Sequence, residues 1–404
     1  MTDVAVRPAH ASSWRMAIFV TFALNGLAAG TWVSRTPSVR DHLGISVTQV
    51  GFLILGVSVG SVIGLILAGH LVHWLGARRT ILLFLSGCGL GLIVIGLGAS
   101  VVGSFGLAIL GYALFGFASG ITDVAMNVDG AEVERAVSRA IMPWFHASWS
   151  LGTVIGAGVG SAAAFAKVDP AIHLGIVGLL LVAGAIVVVR WIPRERLDAH
   201  GAEEVKPGFR ERMSAWVEPR TLLIGLVALG WAFTEGSAND WLALAMIDGR
   251  GVDNGQGALL FGVFTAAMTV GRITGVPLLD RFGRVATLRG AAIAAVVGLG
   301  IVILVPSVPI AVIGIVLWGL GASLGFPVGM SSAADDPARA AARVSVVSTV
   351  GYCAFLVGPP VIGFVGDHIG LLNALFITMG LIVLAAFAVP ATREPARRAP
   401  RLSK

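Results

Sequence analysis

Apolar runs of membrane-spanning length follow one another along almost the whole chain, separated by short polar segments. They fall roughly at 14–34, 48–72, 80–99, 103–129, 144–166, 171–192, 220–246, 256–278, 285–305, 308–330, 343–366 and 370–390. A helix needs about 20 mostly apolar residues to cross the hydrocarbon of a bilayer, and only a structure that satisfies its own backbone can do so. Twelve runs of that length therefore predict an all-α membrane protein with twelve transmembrane helices. Proline sets several expected boundaries. The first helix is expected to stop at Arg35-Thr36-Pro37, and the pair Pro359-Pro360 is expected to bend the eleventh. Glycines at 152, 156, 158 and 160 in the fifth run predict a close helix–helix contact.

The pattern also repeats. Gly69-His70-Leu71-Val72-His73-Trp74-Leu75-Gly76-Ala77-Arg78-Arg79 separates the second and third runs. Leu278-Leu279-Asp280-Arg281-Phe282-Gly283-Arg284 separates the eighth and ninth, about half a chain length later. Each glycine is followed closely by arginine and then by another apolar run. The chain thus reads as two six-helix bundles, residues 1–193 and 219–404. They are joined by the long polar stretch 194–218, expected to be a solvated cytoplasmic linker, and the second ends in a short basic tail.

Composition agrees. Of the residues, 56% are hydrophobic and 12% charged, with a mean hydropathy of +0.89; soluble domains carry about 25% charged residues. A pI of about 10.1 is common among nucleic-acid-binding domains, but here the charge is unevenly placed. Of 28 Lys and Arg residues, all but Arg35, Arg40, Lys167, Arg250 and Arg272 fall on the side of the termini. By the positive-inside rule, that predicts a multi-pass protein of the bacterial inner membrane with both termini in the cytoplasm. The basic excess is a topology signal. Cys88 and Cys353 both fall inside apolar runs and read as small buried hydrophobes.

Candidate chemistry is carried by the polar residues inside the runs, because such residues are costly in hydrocarbon and usually face a bundle interior or a wet cavity. Asp123 and Asn127 share one face of the fourth helix with Ser119. His146, Ser150 and Thr153 form a stripe on the fifth, with Phe145 and Trp149 beside it. Asn25 lies within the first helix, and Glu235 and Asn239 repeat the four-residue spacing on the seventh. Acid, amide, imidazole and indole together can recognise a polar small molecule. The candidate substrate-binding residues are therefore Asn25, Asp123, Asn127, His146, Trp149, Glu235 and Asn239, with Asp123 and Glu235 as candidate proton-coupling groups. The alternative for Asp123 is an ion pair with Arg135 or Arg139. Asp240 reads as solvated at the outer mouth, Arg35 as a partner of Asp41, and Arg272 as a structural group. No Gly-x-x-x-x-Gly-Lys-Ser/Thr, His-Glu-x-x-His or Gly-x-Ser-x-Gly occurs, which argues against a nucleotide-driven pump, a metalloenzyme and a serine hydrolase. No cofactor, metal or catalytic residue is expected.

The two loops resemble the signature Gly-x-Leu-Ala-Asp-Arg-x-Gly-Arg-Arg/Lys that joins the second and third helices of each half in the major facilitator superfamily. The second copy keeps Asp280-Arg281-x-Gly283-Arg284; the first keeps Gly76, Arg78 and Arg79 but has His73 in the aspartate's place. Further residues resemble the YbjJ-like bacterial inner-membrane branch: Pro37-x-x-Arg40-Asp41, Asp123-Val-Ala-Met-Asn127, Phe145-His146 to Gly152, Glu235-Gly236 to Trp241, and Gly351-Tyr352 to Pro360. The fourth helix is loosely similar to the proton-coupled fucose permeases, where the acid lies in the central cavity. Those permeases also have a first-helix carboxylate four residues before a proline; here that position is Val33. The resemblance implies a secondary active transporter working by alternating access, with the solute site between the halves and proton coupling as symport or antiport. A monomer in the lipid bilayer is expected, with a small-molecule substrate and no nucleic acid. Sugar-type symport and drug or metabolite efflux stay open, as does a transport-inactive sensor on the same fold. By the same resemblance Gly76, Arg78, Arg79, Asp280, Arg281, Gly283 and Arg284 form the conformational switch, with Asp280 holding the cytoplasmic mouth closed.

Overall fold

The computed structural model describes residues 8–137, 141–193, 213–336 and 339–394. Most of the expected linker, Arg139 and all but the first residues of the basic tail lie outside them. The described residues include twelve long helices. The first half consists of α1 (Pro8–Leu43), α2 (Val47–Leu75), α3 (Ala77–Gly96, continued by a π-helical turn Leu97–Val101), α4 (Phe105–Val137), α5 (Met142–Phe165) and α6 (Pro170–Val188). The second half opens with α7 (Pro219–Arg250). The hydrogen-bonded stretch Asn254–Leu304 follows; it is two helices, α8 (254–282) and α9 (284–304), meeting at the non-helical Gly283. Next come α10 (Val308–Ala333, interrupted at Ser323 and Leu324), α11 (Ala340–Ile369) and α12 (Leu371–Ala388). No strand occurs among the described residues. All but α5 lie in stretches long and apolar enough to cross a membrane. α5 has the length, at 24 residues, but its serines, glycines and His146 lower its hydropathy.

Helices extend beyond their apolar runs. α1 does not stop at Pro37 but carries that proline inside it and ends at Leu43. An internal proline costs a helix ~3 kcal/mol or more. Thr31 to Val39 are all buried, and that packing outweighs the local penalty. α11 likewise runs on through Pro359 and Pro360. Cys88 is buried as expected, whereas Cys353 is exposed.

What lets these helices pack is the absence of side chains at their crossings. A Cβ built on Gly30 of α1 would fall on the carbonyl oxygen of Thr153 in α5, and one on Gly152 of α5 would fall on that of Ala23 in α1. Gly60 and Gly64 of α2 meet the Ala113 and Phe117 carbonyls of α4, and Gly116 and Gly120 return the contact to Val57 and Ser61. Gly89 of α3 lies against Gly178 of α6, and Gly298 of α9 against Gly314 of α10. Lipid tails are as apolar as leucine, so burying leucine between helices gains little in a bilayer. Close van der Waals approach through small residues takes that role. The expected glycine contact on α5 is therefore real for Gly152 and Gly156. Gly158 faces open space, and Gly160 faces Ser34 and His173 instead.

Contacts divide the chain into two compact units. The first contains α1–α6 together with 237–266 and 359–374; the second contains 203–236, 267–358 and 375–404. In the first, Trp14, Phe22, Met126 and Phe145 anchor a buried cluster, with the Phe145 ring stacked 5.6 Å from Phe22. In the second, two buried indoles tie α7 to α10. Trp231 Nε1 donates to the Gly321 carbonyl at 2.9 Å, and Trp318 Nε1 to that of Thr234 at 3.1 Å.

Gly30→Ala should force α1 and α5 apart and destabilise the protein by about 1–3 kcal/mol, the usual range for overpacking. Gly158→Ala, in the same α1–α5 region but with nothing near its Cβ, should leave stability unchanged or slightly raised. Thermal unfolding of both variants in detergent checks the contrast.

Candidate functional site

In the first unit, α1, α4 and α5 bring five of the predicted residues to one polar region. Asn25 is buried at 4% exposure and accepts a hydrogen bond of 3.3 Å from Ser119 Oγ on α4. One turn further along α4, Asp123 is exposed. Its carbonyl and carboxylate accept from Asn127 Nδ2 at 2.8 and 3.3 Å. No Lys or Arg among the described residues forms an ion pair with Asp123. Arg135, the partner considered from sequence, instead donates to the Ala131 carbonyl at 3.4 Å. On α5, the exposed His146 ring lies edge-on to Phe22 at 5.2 Å. Trp149 stands a turn away, with its backbone against Gly26. A carboxylate whose one described partner is an amide keeps oxygen lone pairs for a ligand.

The second unit treats its acid differently. Glu235 on α7 is paired with Arg272 on α8, whose Nη2 lies 3.1 and 3.2 Å from the two carboxylate oxygens. The pairing of Glu235 with Arg272 is invisible to local spacing. Asn239, one turn further along α7, is half-buried and belongs to the first unit, as does Asp240. Neither forms a hydrogen bond with another described residue.

The two signature loops adopt the same backbone. Gly76 has φ 78 and ψ 154, and Gly283 has φ 74 and ψ 169. Essentially only glycine takes that conformation. Each is followed four residues later by a threonine whose hydroxyl reaches back to a leucine carbonyl: Thr80 to Leu71 at 3.5 Å and Thr287 to Leu278 at 3.1 Å. The charges around them have diverged. Beside Gly76, a cavity of about 500 Å³ is lined by Trp14, Arg78, Arg79, Asp129 and Glu132 among others. Asp129 there is deeply buried and accepts from Trp14 Nε1 at 2.8 Å; sequence reading passed it over, although it ends the most polar run in the chain. Arg78 donates to the Ile192 carbonyl at 3.3 Å. Beside Gly283, Asp280 is exposed and pairs with no described residue, and Arg281 lies over the Phe282 ring. The acid that gathers arginines is Asp335, 2.8 Å from Arg284 and 3.0 Å from Arg220. Next to it, Glu218 binds Arg343 at 2.6 Å.

At the opposite end of the first unit lies a third polar cluster. Arg40 Nη1 donates to both oxygens of Asp248 at 2.8 and 2.6 Å, and Asn254 donates to Asp41 at 2.7 Å. Asp367 accepts from the backbone N–H groups of Val47 and Thr48 at 3.0 and 2.9 Å, capping the start of α2. Arg35 does not pair with Asp41. It is 1% exposed and donates to the Val168 carbonyl.

A sequence model of the family described as Major Facilitator Superfamily matches residues 16–275 and 236–404. An uncharacterized MFS-type transporter of Yersinia pestis is 30% identical, the match covering 96% of this chain and 95% of the relative. An uncharacterized transporter of Sinorhizobium fredii is 29% identical over 94% and 98%. Among solved structures, the nucleoside transporter NupG superimposes with a TM-score of 0.75 at 16% identity, covering 95% of this chain and 98% of its own. The fucose:proton symporter FucP, in its N162A form, gives 0.59 at 17% identity, over 95% and 100%.

Glu218 supplies a pH test. The hydrogen bond from Arg343, chiefly, holds its carboxyl below the usual glutamate range. A lowered pKa contributes stability that is present above the ordinary value of about 4.3 and is lost as pH falls through the native value. Glu218→Gln should therefore melt below the wild type at pH 7, and the gap should close as pH drops below about 4. Melting curves across that range measure it.

Proposed function

This chain belongs to the Major Facilitator Superfamily of membrane transporters, and we propose that it is a proton-coupled secondary transporter moving a small polar solute across the bacterial cytoplasmic membrane by alternating access. The observation that carries this reading is the state of Asp123. It is an exposed acid inside a membrane helix, with the Asn127 amide as its one described partner, one turn from the Ser119 that binds Asn25. An acid in that position is costly unless it has work to do. In this reading Asn25, Asn127, His146 and Trp149 orient the solute, and Asp123 binds it and carries the proton. Glu235, released from Arg272 on protonation, is the coupling group of the second half, with Asn239 as a further solute contact.

The switch in this scheme has a polar lock at each end. The loops at Gly76 and Gly283, with Arg78, Arg79, Asp280, Arg281 and Arg284, form the cytoplasmic lock, to which Asp335 contributes its arginine pairs. Arg40–Asp248 and the Asp367 cap on α2 form the outer one, and both must open for the solute to pass. Both termini lie in the cytoplasm by the distribution of Lys and Arg, and the protein works as a monomer.

Proteoliposomes loaded with a pH dye and challenged with a metabolite panel test the coupling. Solute addition should move protons in the wild type. Asp123→Asn should abolish that signal and gradient-driven accumulation while sparing solute exchange, and Glu235→Gln should impair coupling less completely. Full accumulation by Asp123→Asn at every pH would refute the assignment.

A further inference from the structure

The two halves can be put in register from their helix contacts. In the first, Gly26 of α1 lies against Trp149 of α5; in the second, Gly236 of α7 lies against Phe355 of α11, its Cβ position 3.2 Å from the ring. The residues before those glycines, Asn25 and Glu235, then correspond. Phe355 stands where Trp149 stands, and Tyr352, three residues before it, stands where His146 does. A second pair of contacts fixes the other helix. Gly91 of α3 packs on the backbone of Phe115, and Gly298 of α9 packs on that of Trp318. Counting equally from those anchors, Asp123 corresponds to Phe326 and Asn127 to Met330.

The residue types at these positions differ in kind. Where the first half has carboxylate, amide and imidazole, the second has phenyl, thioether and phenol. The three rings form a cluster in the second unit: Phe326 lies 6.4 Å from Tyr352, and Tyr352 lies 6.5 Å from Phe355, all tilted. Glycines make the room for them. A Cβ on Gly351 would lie 2.8 Å from the Phe326 ring, and Gly236 clears Phe355. The cluster is not closed over. Tyr352 is 40% exposed at mid-length of α11, and Phe326 and Phe355 are half-buried. The two indoles that hydrogen-bond α7 to α10 in the same unit, Trp231 and Trp318, are by contrast fully buried. Open rings with a polar edge are instead suited to stacking on a ligand.

We propose that Phe326, Tyr352 and Phe355 form an aromatic shelf that takes the flat or cyclic face of the transported solute. The substrate is then a compact ring-bearing molecule with a hydrogen-bonding edge, and not an acyclic polyol, amino acid or alkyl chain. The proposal rests on the reading of Asp123 and its neighbours as the solute site and assigns the second half's share of recognition.

Cys353 makes the shelf measurable. It adjoins Tyr352 in sequence and is exposed, while Cys88 is buried, so N-ethylmaleimide reports on it without engineering. Purified full-length protein is screened by thermal shift and by protection of Cys353. The probes are uridine, nicotinamide, phenyl β-glucoside and glucose as ring compounds, and ribitol and glutamate as acyclic ones. At least one ring compound should stabilise the protein and slow labelling, and the acyclic probes should do neither. Phe355→Leu and the exposed Tyr352→Leu should each weaken binding of that compound by roughly tenfold, on the scale of one lost aromatic contact. Two sites are used so that a folding defect in one leaves the other informative. Binding that survives both substitutions overturns the shelf, as does stabilisation by the acyclic probes alone or by none of the compounds. Asp123→Asn separates the two readings. If it abolishes binding while the ring variants do not, the polar site stands and the shelf fails. If the ring variants abolish binding and Asp123→Asn does not, the shelf stands and the assignment of Asp123 fails.

Discussion

Backbone touching backbone is the constraint on which this fold depends. In a bilayer the hydrophobic effect, which holds soluble cores together, offers almost nothing between helices, so association rests on dispersion and interhelical hydrogen bonds at short range. The chain meets this with reciprocal glycines: α1 offers Gly26 and Gly30 to α5, and α5 returns Gly152 and Gly156. Contacts of this kind fix axial register to within a residue, because a shift of one position would drive a neighbouring side chain into a carbonyl. Register then decides which polar groups meet. Ser119 reaches Asn25 because α2, α4, α1 and α5 are interlocked around them, and the same logic lets Trp231 and Trp318 find carbonyls on each other's helices.

Within that frame the two halves conserve geometry and diverge in charge. Gly76 and Gly283 share a backbone conformation that other residues can hardly reach, and Thr80 and Thr287 repeat the same tie to a leucine carbonyl. Around this common turn, the first half buries Asp129 against an indole, and the second neutralises Asp335 with two arginines. A buried ion pair is strongly destabilised when one partner is removed, by ~3–5 kcal/mol, whereas Asp129 takes its hydrogen bond from an uncharged indole. The turn is common to both halves; the charge pattern around it is not.

How much could be read beforehand follows from the range of each interaction. Twelve helices and the paired loops were legible because hydrocarbon admits few backbone solutions and because Gly-Arg turns are local. The polar stripe of α4 was legible from helical spacing alone: Asp123 and Asn127 meet at i and i+4 as that spacing requires. What stayed hidden is long-range. Arg35 was expected to meet Asp41 nearby and instead meets the Val168 carbonyl, while Arg40 crosses to Asp248 and Asp335 draws Arg220. Sequence separation carries no information about such partners. Pro37 misled for another reason: its penalty is intrinsic, but the burial of the residues on either side is tertiary and larger.

The contrast between the two membrane acids has a physical consequence. Glu235 sits with a guanidinium against both of its oxygens, so its charge is already balanced where it is. Asp123 has an amide in place of a cation. No described Lys or Arg pairs with it, so its oxygens are left to water or a ligand, whereas those of Glu235 are already met. The two acids are therefore not equivalent: replacing the acid by an amide removes an ion pair in one half and none in the other.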